Sequence, residues 1–473
     1  MLHVGQDDLR GRFETQRKAF AAESFPDLQT RKDRLARLLA LIDDHEAAIC
    51  QAIDADFGGR SQHETRIAEL FVTRSGIRHA SNHLANWMRE RRVATSLPFL
   101  PASNRLMQQP LGVVGVVSPW NYPLQLALAP VTAALAAGNR VMLKPSELTP
   151  KFSSLLARLV ADRFAPDEMN VVTGGPEIGK AFVSLPFDHL LFTGSTSVGR
   201  QVAQAAAANL TPVTLELGGK SPAIFDPSCD LDRSVARLAY GKLLNAGQTC
   251  IAPDYLLVPK GSSAQVTAKL GAAVARLYPT LAKNPDYTAI ISDRHLDHLK
   301  AMVSQARETG AKVVEINPAN EAFGDRSRKM PPVLVLNPGK EIRLMREEIF
   351  GPVLPVLEYS DVGEAIAHVN GGDRPLALYW FGRDPAVQRR VLRETISGGV
   401  TINDCLLHIA QERQPFGGVG ASGTGAYHGE WGFRTFSKEK PMFIQSRFSS
   451  APLLWPPYGR LFDRLYAMLK FLG

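Results

Sequence analysis

From about residue 8 to residue 92 the apolar positions recur at three- and four-residue spacing, which predicts a helical segment. In Arg34-Leu35-Ala36-Arg37-Leu38-Leu39-Ala40-Leu41-Ile42 the aliphatic residues share one face, and the Arg and Asp residues are assigned to the opposite one. The pattern breaks at Val93. The stretch "VATSLPFLPASNRLMQQ" from Val93 to Gln109 holds two prolines and few helix formers, and reads as an extended arm or hairpin.

A regular alternation follows. Short apolar runs at Val113–Val117, Arg140–Lys144, Asn170–Val172, His189–Thr193 and Val213–Leu217 predict buried strands. Alanine- and leucine-rich or amphipathic stretches at Leu124–Ala137, Lys151–Phe164, Glu177–Leu185 and Ser197–Ala208 predict the helices between them. Strands separated by helices imply right-handed crossovers and a parallel sheet, with ligands beyond the strands' carboxyl ends. A second α/β series runs from about Ser221 to Thr401, with strands at Ala223–Phe225, Tyr255–Val258 and Val333–Leu336 and a helix at Ser263–Leu277. Gln414–Gly425 is glycine-rich and reads as a loop. The fold class is therefore α/β.

Composition changes this picture little. With 473 residues, 45% hydrophobic and 21% charged, the chain has the make-up of a globular protein of two or three domains. The formal charge of +8 is spread out, and its densest basic run is the short Arg89-Glu90-Arg91-Arg92, so no nucleic-acid partner is expected. No apolar run is long enough to span a bilayer. The start, Met1-Leu2-His3-Val4-Gly5, lacks the basic and apolar regions of a signal peptide, and the expected location is the cytoplasm. Cys50, Cys229, Cys250 and Cys405 lie far apart and form no metal or disulfide pattern, and neither His408 nor His63-Glu64 completes a metal site.

The chemistry concentrates in a few turns. Cys250 ends the polar turn Gly247-Gln248-Thr249-Cys250, an unusual setting for an inert buried thiol. Glu216 precedes Gly218-Gly219, which permit a close approach and a sharp change of direction. A thiol, a carboxylate and a nucleotide-binding scaffold together suggest carbonyl oxidation through a covalent thioester. Phe192-Thr193-Gly194-Ser195-Thr196-Ser197-Val198-Gly199 joins a strand to a helix whose N-terminus could take a pyrophosphate, although a purely structural helix start is an even alternative. Lys144-Pro145-Ser146-Glu147 ends a strand where ribose hydroxyls could be held; alone, an exposed salt-bridged turn is the better reading. If Glu147 does face the ribose, its charge disfavours a 2′-phosphate and points to NAD over NADP. Asn121, in Ser118-Pro119-Trp120-Asn121, could donate to a developing oxyanion. The literal GxGxxG at Gly418, Gly420 and Gly423 follows no strand and is set aside.

Pro119-Trp120-Asn121, Lys144-Pro145-Ser146-Glu147, Phe192-Thr193-Gly194-Ser195, Leu215-Glu216-Leu217-Gly218-Gly219-Lys220, Gly247-Gln248-Thr249-Cys250, Glu347-Glu348-Ile349-Phe350-Gly351-Pro352 and Pro415-Phe416-Gly417-Gly418 occur in the order of aldehyde dehydrogenase motifs. Over roughly residues 90–440 the chain resembles that superfamily. The short N-terminus and Tyr427-His428-Gly429 resemble its class 3 branch, and Asn403–His408 with Phe57–Ser61 resemble bacterial coniferyl aldehyde dehydrogenases. The resemblance implies a Rossmann-type NAD-binding domain (1–92 and 110–215) and an α/β catalytic domain (216–413). It also implies a small β oligomerisation arm (93–109 and 430–445), to which an amphipathic tail (451–473) is added. It implies Cys250 as nucleophile, Asn121 and the Cys250 N–H as oxyanion donors, and Glu216 as the base for thioester hydrolysis. Lys144, Glu147 and Glu348 would contact ribose hydroxyls, the turn of Gly194, Ser195 and Gly199 the pyrophosphate, and Phe350 the nicotinamide end. It further implies NAD as cofactor with NADP possible, an aldehyde substrate of aromatic (coniferyl-type) or medium-chain kind, and a homodimer. Leu406, Leu407 and His408 are candidates for the substrate side.

Rival readings remain on the same scaffold. A CoA-acylating dehydrogenase needs no water-activating base, so Glu216 argues against it. A non-catalytic relative would not require Cys250, Glu216 and Asn121 together, and a cofactor-independent cysteine hydrolase would be indifferent to NAD.

Overall fold

The computed structural model describes residues 6–325 and 327–472. Helices Gln6–Ala22, Leu28–Asp44 and Glu46–Phe57 come first, and Gln62–Thr65 then runs through a π turn into Val72–Trp87. Leu35, Leu38, Leu41 and Ile42 are buried, as their spacing requires. The polar face is not wholly solvent-facing: Arg31 and Arg34 are also buried. Arg31 donates to the carbonyls of Ala136 and Ala137, capping the end of helix Gln125–Ala136 with a cation. Arg34 pairs with Glu23 and Glu168 at 3.2 and 3.1 Å. A sequence pattern cannot reveal these inward arginines, because Ala136, Ala137 and Glu168, which hold them, are more than 100 residues away.

Strands β1 (Arg91–Val93) and β2 (Ser103–Pro110) follow. Next come β3 (Val113–Val117), β4 (Arg140–Lys144), β5 (Met169–Val171), β6 (His189–Thr193) and β7 (Val213–Glu216), within a residue or so of the apolar runs. They are parallel and lie in the order β7-β6-β3-β4-β5. Alternate residues serve opposite faces. Val114, Val116, Val141 and Leu143 share a core with Leu35, Leu38 and Ile42 of helix Leu28–Asp44, whereas Val113, Met142, Leu190 and Phe192 share one with Leu9 and Phe13 of helix Gln6–Ala22 and with Phe187. The chain reverses its build direction between β3 and β6, which opens a crevice at their carboxyl ends.

A seven-stranded sheet follows: β8 (Pro222–Phe225), β9 (Tyr255–Pro259), β10 (Lys312–Glu315), β11 (Val333–Leu336), β12 (Val353–Tyr359), β13 (Ala377–Phe381) and β14 (Gly399–Ile402). Their order is β10-β11-β12-β9-β8-β13-β14, parallel except for β10. The glycine-rich stretch is more than a loop. Its residues Gly423–Thr424 form β15, which returns to the first sheet antiparallel to β7 with Gly423 opposite Glu216. Strand β16 (Ser437–Ile444) pairs with β2 over its whole length, giving an antiparallel sheet β1-β2-β16. Within the stretch 430–445 assigned to the arm, residues 430–435 belong to helix Gly429–Thr435, packed on Gln125–Ala136, and the strand begins at Ser437. The C-terminal helix Arg460–Leu472 lies against the turn Leu97–Phe99 and leaves Leu461, Tyr466, Met468 and Phe471 exposed. Among the described residues, no helix is long and apolar enough to cross a membrane.

Candidate active site

The turn before Cys250 is built on unusual backbone. Asn245 and Ala246 take φ of 54° and 51°, and Gly247 takes 76°. A Cβ on Gly247 would stand 2.3 Å from the Gly351 carbonyl oxygen, so only glycine fits. The strain at Asn245 and Ala246 is held by the buried Gln248 side chain. Its amide nitrogen donates to the carbonyls of Asn245 and Ala289, both at 3.0 Å, and its oxygen accepts from Ile291 N–H at 2.9 Å. Glu64 supports the turn from below, accepting from Asn245 N–H and from the Thr288 hydroxyl.

Asn121 reaches the same turn from the loop after β3. Its Nδ2 donates to the Gln248 carbonyl at 3.2 Å, which leaves the second amide hydrogen free for another acceptor. Its backbone carbonyl accepts from Arg60 Nη1 at 2.6 Å and from Asn245 Nδ2 at 3.0 Å. Tyr122 Oη and Thr249 Oγ1 lie 2.7 Å apart. Arg60 is sandwiched against Phe57 and Tyr122 and paired with Glu69, both side chains being fully buried. Glu69 in turn accepts from the N–H groups of Leu124 and Gln125. The Asn121 loop is thus clamped at both ends by one ion pair.

Glu216, the last residue of β7, is buried, and both its carboxylate oxygens lack a partner. Burial raises its pKa well above the ordinary carboxylate value. The Cys250 thiol is pushed up to about 12, first by burial and then by Glu348 and Glu216, while its own N–H and that of Ile251 favour the thiolate. Cys250 itself stays partly exposed, and Glu348 and Glu216 lie near enough for their charges to act on its thiol. Glu348 lies beside Gly218, where a Cβ would collide with its Oε2. Burial and then Asp254 push the Glu348 carboxyl up to about 8, against the Gly219 N–H, Lys220 and Lys242. Burial pulls the Lys242 ammonium down to about 8.

Along the crevice, Lys144 ends β4 buried, its Nζ donating to the Pro145 carbonyl and pairing with half-exposed Glu147 at 3.2 Å. Ser195 caps helix Thr196–Ala207, accepting from Val198 N–H. Gly194 N–H donates to the Glu216 carbonyl, tying this turn to β7. At Gly199 a Cβ would meet Leu217 at 2.5 Å, so glycine lets the helix close onto that segment. Phe350, at φ 54°, lies edge-on to Trp120 with centroids 5.4 Å apart.

The structure thus gathers Cys250, Glu216, Asn121 and Glu348 about one turn, with Lys144 and Glu147 at the end of β4, Ser195 just after β6, and Phe350 beside Trp120. Arg60, Glu64, Glu69 and Lys242 carried no predicted role in the site; for Glu69 and Lys242 the only signal was a charge inside an apolar pattern. A cavity lies on the other side of Tyr427, whose phenol is raised by burial and then by Glu216, Cys250 and Glu412. Ile409, the residue after His408, lines this cavity.

The sequence matches the aldehyde dehydrogenase family model over residues 3–442. It is 50% identical over 460 residues to a probable coniferyl aldehyde dehydrogenase of Pseudomonas aeruginosa, covering 97% of this chain and 95% of that one. It is 44% identical to a coniferyl aldehyde dehydrogenase of a Pseudomonas species, covering 98% and 97%. Among solved structures, the substrate-bound Staphylococcus aureus AldH superposes with a TM-score of 0.92 at 36% identity, covering 98% of this chain and 99% of that one. With its two α/β sheets and the thiol, carboxylate and amide between them, the chain belongs to the aldehyde dehydrogenase family and is an aldehyde-oxidising enzyme.

Proposed function

We propose that this enzyme oxidises aromatic aldehydes of the coniferyl type to their acids, with NAD preferred over NADP, through a thioester on Cys250. The observation that carries the mechanism is that the Cys250 thiol, the unpartnered Glu216 carboxyl and the Asn121 amide are gathered about one turn. The relatives named for coniferyl aldehyde support the substrate class.

The residues of the crevice fit a nicotinamide dinucleotide. Glu348 Oε1 is buried without a partner and suits a ribose hydroxyl, as do Lys144 and Glu147 at the end of β4. The capped start of helix Thr196–Ala207 offers N–H groups to a pyrophosphate. When bound, that cofactor supplies the hydride acceptor.

In this mechanism the Cys250 thiol gives its proton to the Glu216 carboxylate, which passes it to solvent, and the sulfur bonds to the aldehyde carbon as the C=O electron pair moves onto oxygen. Asn121 Nδ2 and the Cys250 N–H stabilise that oxyanion. After the oxyanion collapses with loss of hydride, the acyl group is a thioester. Glu216 takes a proton from water as the water oxygen attacks the acyl carbon. The C–S bond then breaks, the acid leaves, and the thiol is restored. Burial suits Glu216 to this role, because a carboxylate of raised pKa is a stronger base.

The sheet β1-β2-β16 exposes Leu97, Phe99, Phe443 and Ile444 in and beside it, which supports its use as a homodimer arm. Four unpaired cysteines suit a reducing compartment and support a cytoplasmic location. Specificity constants for coniferaldehyde, octanal and acetaldehyde, each with NAD and NADP, test the reading, with Cys250→Ala as the inactive control. Coniferaldehyde with NAD should rank first. A preference for octanal would favour the medium-chain reading, for which a Pseudomonas syringae enzyme solved with octanal, 29% identical, is a precedent. A preference for acetaldehyde would refute an apolar channel altogether.

A further inference from the structure

Asn245 occupies a position where glycine would cost less. Its backbone is left-handed, at φ 54° and ψ 32°, a conformation that glycine adopts freely. The residue is completely buried, and its Oδ1 has no hydrogen-bond partner. A buried acceptor left unpaired is destabilising. Backbone and burial thus both argue against a side chain here, and the reason for one lies in its nitrogen. Nδ2 donates to the Asn121 carbonyl at 3.0 Å and to the Gln248 carbonyl at 3.1 Å, which uses both amide hydrogens. Turning the amide over would set Oδ1 against two carbonyl oxygens, so the network fixes its orientation.

The two acceptors belong to the two halves of the oxyanion site. Asn121 lies on the loop after β3, and Gln248 stands two residues before Cys250. Asn121 Nδ2 donates to the same Gln248 carbonyl at 3.2 Å. The contacts close a ring: Asn121 carbonyl, Asn245 amide, Gln248 carbonyl, Asn121 amide. One hydrogen of Asn121 Nδ2 is tied into this ring, which sets the direction of the other relative to the Cys250 turn. Asn245 is itself held, its N–H by Glu64 at 3.0 Å and its carbonyl by Gln248 Nε2 at 3.0 Å.

Resting on the reading of Asn121 as an oxyanion donor, we propose that Asn245 is a positioning residue for aldehyde oxidation. Its amide staples the Asn121 loop to the Cys250 turn and so fixes the spacing between Asn121 Nδ2 and the Cys250 N–H. It touches no reacting atom and acts through Asn121. Oxyanion donors work by being aimed before charge develops, so an error of about 1 Å in their spacing slows the step by up to roughly a hundredfold.

The test is the rate of the NADH burst, which reports formation of the oxyanion and loss of hydride from it. It is run with NAD and whichever of coniferaldehyde, octanal and acetaldehyde has the highest specificity constant, so it does not depend on the substrate class. Asn245→Gly suits the backbone and removes the staple, and should slow the burst roughly tenfold. Asn245→Asp also tolerates a left-handed backbone but sets an oxygen against two carbonyls, and should slow it roughly a hundredfold. If the position served the backbone alone, both variants would keep the wild-type rate. In an Asn121→Ala background either substitution should slow the burst by less than about threefold, because the donor it aims is gone. A wild-type burst in Asn245→Gly, or a loss undiminished in the Asn121→Ala background, would overturn the proposal; the glycine variant carries the test if Asn245→Asp does not fold. Asn121→Ala by itself separates the two readings. A wild-type burst there sinks the oxyanion reading and the staple with it. A slow burst there, beside a wild-type one in Asn245→Gly, sinks the staple alone.

Discussion

Replacing Arg60 by methionine should damage both stability and catalysis, although Arg60 sits among the supports of the pocket and not at the reacting atoms. Its guanidinium is fully buried, donates to the Asn121 carbonyl at 2.6 Å, and lies 3.3 Å from Glu69. That last approach is too skewed to count as a hydrogen bond, so the attraction is chiefly between charges. Methionine fills much of the space but leaves Glu69 buried and uncompensated, a loss expected to be about 3–5 kcal/mol. In urea this corresponds to a midpoint shift on the order of 1 M. Burial already raises the Glu69 pKa, against Arg60 and the N–H groups of Leu124 and Gln125. Without Arg60 it rises further. A group whose folded pKa lies above its unfolded value loses stability as pH rises through the folded value, so the variant should fare worse at pH 8 than at pH 5. Release of the Asn121 loop should lower kcat by up to about a hundredfold with a smaller change in KM. Adding Glu69→Gln should recover part of the stability, giving a coupling of about 1–3 kcal/mol in the double-mutant cycle. Equilibrium unfolding at the two pH values and steady-state kinetics measure all of this. A wild-type midpoint and kcat in Arg60→Met, or strict additivity with Glu69→Gln, would refute the clamp.

Glu216→Gln should give a rapid burst of NADH followed by very slow turnover, because the amide cannot take the proton from water; equal slowing of burst and steady state would assign Glu216 another role. Glu147→Ser should raise the NADP/NAD ratio of specificity constants by removing a carboxylate from the end of β4, and an unchanged ratio would show that Glu147 does not face the ribose. Glu168→Gln should flatten the acid limb of stability. Burial opposes ionisation there, but hydrogen bonds and charge from Arg37 and Arg34 hold Glu168 down to about 2 from the ordinary 4.5. Its folded pKa is depressed, so its contribution is present above about pH 4.5 and lost as pH falls toward 2, and acid-unfolding midpoints of the two proteins should differ in that window.

The strands and helices of the parallel sheet were legible because each buries an unbroken apolar run between punctuating Gly, Pro and polar turns. Val113–Val117, Arg140–Lys144 and His189–Thr193 fall where the runs place them. The return of Gly423–Thr424 to β7 was not legible, since two residues carry no periodicity and the pairing depends on a partner more than 200 positions away. The left-handed turn at Leu406, with φ of 68°, and the packing of His408 on Phe416 were equally out of reach, since each depends on the folded backbone.

A different limit governs the site. Residues that touch reacting atoms must be of few chemical types, and they sit in short turns of restricted geometry; Cys250 after Gly247 and Glu216 before Gly218-Gly219 stand out for that reason. The residues that hold them in place are ordinary in type. Arg60, Glu64 and Glu69 lie on the N-terminal segment, in a stretch whose periodicity reads only as an amphipathic surface. Their meaning comes from what folds against them: Asn245 N–H and Thr288 on Glu64, the Asn121 carbonyl on Arg60, and the start of helix Gln125–Ala136 on Glu69. Each contact joins segments more than 50 residues apart, so the N-terminal helices set the pocket's geometry while carrying none of its reacting groups. Substitutions there should act on kcat through Asn121 and the Cys250 turn. The stability-coupled loss expected for Arg60→Met is the measurable form of that arrangement.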